Sequence, residues 1–207
     1  MTTDPRILKR PTILKRRRVA QTRLFQVEQL DLRFANGVER TYERLCSAGH
    51  GAVVVVGVTA AGSVLLVREY SAGMDDYQWG LPRGAIDFGE SNLEAANREL
   101  MEEAGHGARR LRFLKSIHLV PSYMQRKIDI VLAEDLYPES RPGDEPEPLE
   151  VMLWPLANLA ELMARADVTD SPSIAALYLA RDYLRDTLSP VARTAVEPAT
   201  IAIAAGG

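Results

Sequence analysis

The segment from Ser91 to Gly105, SNLEAANRELMEEAG, constrains this chain more than any other stretch. Ser91 is followed three places on by Glu94, the reciprocal pairing that starts a helix. Leu93, Ala96, Leu100, Met101 and Ala104 then recur at helical spacing as one apolar stripe. Gly105 suits the left-handed position that closes a helix. The spacing therefore predicts a helix over 91–104 whose stripe another layer must cover. Glu99, Glu102 and Glu103 project close together on it, because residues three and four apart share a face. Carboxylates that close repel by roughly several tenths of a kcal/mol per exposed pair, and by more when shielded from water. A helix selected for stability alone would avoid the arrangement.

Covering layers are available on both sides. Ala52–Val58 and Ser63–Tyr70 read as a strand pair around Ala60-Ala61-Gly62, with Val53–Val58 the longest apolar run. Upstream, Phe25, Val27, Leu30, Leu32 and Phe34 are spaced mostly by two, and Asn36-Gly37 is a turn signal, so residues 22–46 read as a β-hairpin. Trp79–Ile86 is a short strand or a loop rich in Gly and Pro. Strands follow at Leu111–Leu119, Lys127–Ala133 and Val151–Trp154, with an acidic, four-proline loop at 137–148. Helices are expected near Ala157–Arg165 and Ser173–Leu188. The mixture lacks a steady βαβ rhythm. It points to the α+β class, as an αβα sandwich on a mixed β-sheet with an N-terminal β-hairpin extension. Residues 1–20 then form an irregular basic arm, 21–50 the hairpin and 51–188 the main domain. Residues 189–207 form a small, Pro-broken tail expected to be disordered.

A chain of 207 residues suits one domain with a small extension. No apolar run approaches the roughly 20 residues that span a bilayer, so no membrane partner is expected. The N-terminus lacks the apolar stretch of a secretory signal. Cys46 is the only cysteine, which excludes an internal disulfide and fits a reducing cytoplasm. One thiol and three histidines leave little material for a zinc site. The net charge of −3 conceals an uneven distribution. Residues 1–24 hold eight basic residues and one acid, so the remainder holds 17 of the 25 basic and 27 of the 28 acidic residues. A basic arm on an acidic body can bind nucleic acid. No aromatics interleave the basic run as a stacking platform would need, so it reads as a solvated arm or one contacting the protein's own acidic surface.

The three glutamates belong to a longer pattern. From Gly84 to His106 the chain reads GAIDFGESNLEAANRELMEEAGH, with Gly84, Glu90, Arg98-Glu99, the apolar Leu100, Glu102-Glu103 and Gly105 at fixed intervals. A hard divalent cation relieves such an acidic cluster, because Mg²⁺ is commonly held by a few carboxylates together with substrate phosphate oxygens. A solvated acidic helix would explain a bare E-x-x-E-E, but seven fixed residues in a loop, helix and Gly context are far more specific. The stretch resembles the Nudix box of the Nudix hydrolases at every fixed position except the last, where His106 replaces an apolar residue that packs the helix end. The resemblance implies the Nudix fold and water-driven cleavage of a nucleoside-diphosphate pyrophosphate. The implied cofactor is Mg²⁺, with Mn²⁺ as the alternative ion. By the same resemblance Glu99 and Glu103 are the core metal ligands, Glu102 an additional ligand or water-orienting group, and the backbone carbonyl of Arg83 a further ligand. Glu90 is read as a support for the loop, and Arg98 as the residue that orients Glu102.

Other segments resemble the members of this family that hydrolyse ADP compounds. Val67-Arg68-Glu69-Tyr70 looks like a strand of ADP-ribose pyrophosphatases in which the Arg faces the substrate, and Pro121 falls sixteen residues after Gly105, as in that subgroup. The likeness implies hydrolysis of ADP-ribose, short diadenosine polyphosphates and NADH with release of AMP. It implies substrate contacts by Arg68, Arg44, Pro121 and Ser122, and a homodimer whose hairpins help to build each other's sites. A general base is expected in the loop Gly143–Leu149, with Glu145 the first candidate and Glu147 the second. Trp79, Tyr70, Tyr123 and Tyr77 are candidates for stacking on adenine, or simply for packing. Gly-Leu-Pro-Arg at 80–83 departs from the usual E-L-P-A, and the Arg83 side chain adds a candidate phosphate contact. Two alternatives stand beside this reading: a pyrophosphatase for GDP-mannose or another nucleoside-diphosphate sugar, and a non-catalytic nucleotide-sensing Nudix module.

Overall fold

Val53 and Val54 adjoin in sequence and lie in different cores, and that division organises the molecule. The computed structural model describes residues 9–46 and 49–188. In chain order these form β1 (Thr12–Gln21), β2 (Gln26–Arg33), β3 (Glu39–Cys46), β4 (Ala52–Gly57), β5 (Ser63–Ser71), β6 (Asp76–Gly80), β7 (Arg83–Ala85), α1 (Asn92–Ala104), β8 (His106–His118), β9 (Lys127–Pro138) and β10 (Glu150–Pro155). A 3₁₀ turn (Leu156–Asn158), α2 (Leu159–Met163) and α3 (Ser171–Leu188) follow.

Three sheets result. β7-β4-β9-β8 is mixed, since β4 runs parallel to β9 and every other pairing is antiparallel. β10-β5-β6 and β1-β2-β3 are antiparallel. Side chains alternate across a strand. Val53 and Val55 of β4, Leu65 and Val67 of β5, and Val131 and Ala133 of β9 accordingly pack against Ala95, Ala96, Leu100 and Ala104 of α1. Val54 and Val56, Val64 and Leu66, and Ile130 and Leu132 turn the other way, toward Leu159, Leu162, Ala176, Leu177 and Ala180 of the C-terminal helices. The layers are therefore helix, sheet, helix, as expected from the sequence. Each fully buried Val or Leu in them contributes roughly 1.5–3 kcal/mol relative to exposure.

Two strand assignments differ from the sequence reading. Residues 12–21 are not irregular: they form β1, paired along β2. Both faces of β1 are exposed, so no apolar alternation marks it. Its basic side chains meet acids of β2, Arg16 lying 3.9 Å from Glu28 and Arg17 3.5 Å from Asp31, in line with an arm that contacts the protein's own acidic surface. The expected hairpin is present as β2 and β3, closed at Asn36-Gly37, within this three-stranded sheet. β4 and β5 are not a paired ladder and share one isolated bridge, Val58–Val64. Each carries a run buried on both faces; β4 pairs with β7 and β9, and β5 with β10 and the following β6. The expected disorder of 189–207 lies outside the described residues. Among the described residues no helix is long and apolar enough to cross a membrane.

Candidate active site

The site is built on α1. Ser91 accepts a hydrogen bond from Glu94 N at 3.2 Å, and the Glu94 carboxylate accepts one from Ser91 N at 2.8 Å, completing the capping box. Gly105 ends the helix at φ 65°, where an L side chain is strained. Between these caps Arg98 organises the acidic face. Its Nε and Nη2 donate to the two oxygens of Glu90 at 3.0 Å each, and its Nη1 donates to Glu99 at 2.7 Å and to Glu102 at 3.0 Å. Nη2 also reaches the Ala85 carbonyl at 2.9 Å, tying the helix to the preceding loop. Glu90 accepts from Asp87 N as well, so it holds the loop as expected. His106 contacts the Ala104 carbonyl at 2.7 Å, at the helix end.

Glu99 and Glu103 are buried, at 7% and 8% exposure, an arrangement a solvated acidic helix would not show. Gly84 is required there: a Cβ at this position would overlap the Glu99 carboxylate. Arg83 N donates to Glu103 Oε2 at 3.1 Å. Burial, reinforced by the negative charges of Glu99, Glu145 and Glu69, pushes the Glu103 carboxyl up to about 9. Burial also raises Glu99, against the pull of Arg98. Glu145 is half-buried and its charge is felt at both residues, so the acidic loop bends over the helix. A Cβ on Gly143 would lie 3.6 Å from the Glu102 Cβ.

A cleft of about 510 Å³ opens beside Arg83 and Gly84, bounded by Val120, Met124, Arg126 and Asp170. Pro121 and Ser122 are exposed on the turn that supplies Val120 and Met124. A second cleft, of about 270 Å³, includes Glu69 and shares Arg83 and Asp170 with the first. The Arg83 side chain is held by Asp170 at 2.5 Å and Glu69 at 3.4 Å. Arg68 is on the neighbouring sheet, 5.6 Å from the Tyr77 ring and 3.6 Å from Glu150. Arg44 is not brought to the box within this chain; it forms a two-pronged pair with Glu28 in the N-terminal sheet. Trp79 is buried in the C-terminal core, while Tyr70, Tyr77 and Tyr123 are exposed. Sequence reasoning passed over Glu69 and Asp170. Asp170 also accepts from Ser173 N and Oγ at the start of α3, so its Asp-x-x-Ser spacing was the available signal.

Among the described residues no three His, Cys, Asp or Glu side chains stand in a ready metal-holding set. Glu99 and Glu102 turn to Arg98, and Glu103 to the Arg83 N–H. The donor chemistry nevertheless suits a hard divalent cation. It is all oxygen, and the ionised form of Glu103 is disfavoured by burial and by its acidic neighbours, so added positive charge is what the cluster favours.

Fold and site together define a Nudix hydrolase, and the chain belongs to that family: the NUDIX domain pattern matches residues 49–177. It is a Nudix pyrophosphohydrolase. The pattern of the NudE-type Nudix hydrolase N-terminal domain matches residues 11–44, most of β1 to β3. The chain is 48% identical over 178 residues to ADP compounds hydrolase NudE of Escherichia coli (strain K12), covering 86% of this chain and 95% of that protein. It is 28% identical over 170 residues to an ADP-ribose pyrophosphatase of Bacillus subtilis (strain 168), covering 79% and 91%. A solved structure described as an ADP compounds hydrolase superposes with a TM-score of 0.82 at 47% identity, covering 88% of this chain and 98% of that one.

Proposed function

We propose that this chain hydrolyses the pyrophosphate bond of ADP compounds, with ADP-ribose, short diadenosine polyphosphates and NADH as substrates and AMP among the products. The observation that carries the reading is the buried Glu99–Glu103 pair with Glu145 in its field. Likeness to an ADP compounds hydrolase of E. coli and an ADP-ribose pyrophosphatase of B. subtilis supports the substrate class. Glu99 and Glu103, with Glu102 and the Arg83 carbonyl, would hold Mg²⁺ or Mn²⁺. The chemistry that ion supplies when bound is neutralisation of the pyrophosphate oxygens and acidification of the attacking water.

The chain's own residues do the rest. Arg98 fixes Glu99 and Glu102 so that neither swings to solvent. Gly84 keeps the backbone close to the Glu99 carboxylate. Glu145 is the general base that takes the proton of the attacking water, and its half-buried position keeps it near the cluster. Arg68, Pro121 and Ser122 contact substrate. Arg44 does so across a homodimer, in which the exposed Leu24 and Phe25 and the edges of the N-terminal sheet are covered by the second chain. A reducing cytoplasm suits the free Cys46.

The test is hydrolysis of a panel in ¹⁸O-labelled water with Mg²⁺: ADP-ribose, diadenosine polyphosphates, NADH and GDP-mannose. AMP should appear from the adenine substrates. Glu103→Gln should cut turnover about 100-fold or more while the protein stays folded. Preference for GDP-mannose would move the protein to the nucleotide-sugar reading. Binding without turnover would make it a sensor.

A further inference from the structure

The acidic loop between β9 and β10 is held at both ends, and the hold at its exit is a hydroxyl that the family box does not contain. At the entry, Glu139 N donates to the Gly105 carbonyl at 3.1 Å and Arg141 N to the Met101 carbonyl at 3.2 Å, fastening the loop to the end of α1. At the exit, Tyr77 Oη donates to Glu147 Oε1 at 2.5 Å, joining residues seventy positions apart. Arg68 meets Glu150 at the same end, 3.6 Å away. Gly143 and Glu145 lie between these fastenings, over Glu102 and in the field of Glu99 and Glu103.

Tyr77 is itself held. Tyr70 stacks edge-on against it at 5.6 Å and an interplanar angle of 67°, Arg68 lies 5.6 Å from its ring centroid, and the Tyr70 hydroxyl is anchored on Asp75 at 2.6 Å. The donor is therefore pre-oriented before it meets the loop. Pro146 and Pro148 flank Glu147. A proline has φ fixed near −65°, so the short piece from Glu145 to Glu147 transmits position rather than absorbing it.

We propose that Tyr77 is a positioning residue for the hydrolysis: its hydroxyl holds Glu147, and through the stiff Glu145-Pro146-Glu147 link this sets Glu145 over the carboxylates of α1. The proposal rests on the reading of Glu145 as the base. It also assigns Tyr77 a role different from adenine stacking, which needs the ring and not the hydroxyl.

Tyr77→Phe separates these roles, because it keeps the ring and the Arg68 contact and removes only the hydrogen bond. Steady-state rates on ADP-ribose with Mg²⁺ and amide hydrogen exchange over residues 141–150 are measured on the full chain. Tyr77→Phe should lower kcat about three- to tenfold, the size of one ordinary hydrogen bond between exposed groups, with KM within about twofold. Exchange in the loop should speed up. Glu147→Ala should behave alike and the double variant no worse, whereas Glu147→Gln, which keeps an acceptor, should fall less than Glu147→Ala. Tyr77→Phe with the parent's kcat and loop exchange, beside an impaired Glu145→Gln, overturns the Tyr77 proposal and leaves the base in place. If Glu145→Gln is also unimpaired, both fall.

Discussion

Gly84 and Glu99 show how far a single side chain decides this site. The carboxylate lies where a Cβ on residue 84 would be, so Gly84→Ala must push Glu99 out of place or shift the loop. A displacement of about 1 Å in a catalytic array can cost on the order of 100-fold in rate. We expect a kcat/KM loss of about that size for Gly84→Ala on ADP-ribose, with an unchanged circular dichroism spectrum. A rate near that of the parent would show that the position of Glu99 is not critical. The glutamates of α1 were legible in the sequence because helical spacing is local and fixes which residues share a face. The contacts that Glu69, Asp170 and Tyr77 make were not. They reach Arg83 and Glu147 across 14, 87 and 70 positions, and no pattern within a window encodes such meetings.

α1 is held from three directions: its caps, its apolar stripe, and Asp129 of β9. Asp129 accepts hydrogen bonds from Ser116 Oγ at 2.6 Å and from Asn92 Nδ2 at 3.2 Å at the first residue of the helix, and pairs with Lys127 at 3.1 Å. Burial alone would raise its carboxyl, but the hydrogen bonds from Ser116, Lys127 and Asn92 outweigh it and hold the group below the ordinary 3.8. A depressed folded value means that the ionised form stabilises the fold above pH 3.8, and that this contribution is lost as the pH falls through the lower folded value. Asp129→Asn should therefore be less stable than the parent in urea at pH 7, by about 1–3 kcal/mol, with the gap closing below pH 3.8. A gap independent of pH would mean that charge is not the cause. Gly105→Ala should cost about 1 kcal/mol by forcing a side chain to φ 65°. The helix and its caps were legible for the same reason as its glutamates. β1 was not, because a strand exposed on both faces carries no alternation, and neither was the separation of β4 from β5, because their buried runs, Val53–Val56 and Val64–Val67, are apolar without alternation and name no partner.

Across the whole molecule, a cation that binds only the folded chain raises stability by mass action, by about 2.7 kcal/mol at one hundred times its dissociation constant. Mg²⁺ should raise the Tm of the parent and leave that of Glu103→Gln nearly unchanged, a readout independent of turnover. An equal rise in both would place the ion elsewhere. The N-terminal sheet carries exposed Ile13, Val19, Leu24, Phe25 and Tyr42, so sedimentation should give twice the chain mass of 22.9 kDa, and a monomer at micromolar concentration would remove the proposed shared site.

The two-sided strand β4 has one more consequence. Val53 pairs with Gly84 and looks toward α1, whereas Val54 pairs with Arg83 and looks toward α3. Trimming these two adjacent valines to alanine would remove similar volumes from opposite layers. Both should lower the melting temperature, and the first, which lies under the helix of the carboxylates, should also lower the rate. A mutational scan along this strand would thus carry a catalytic signal at every second position only.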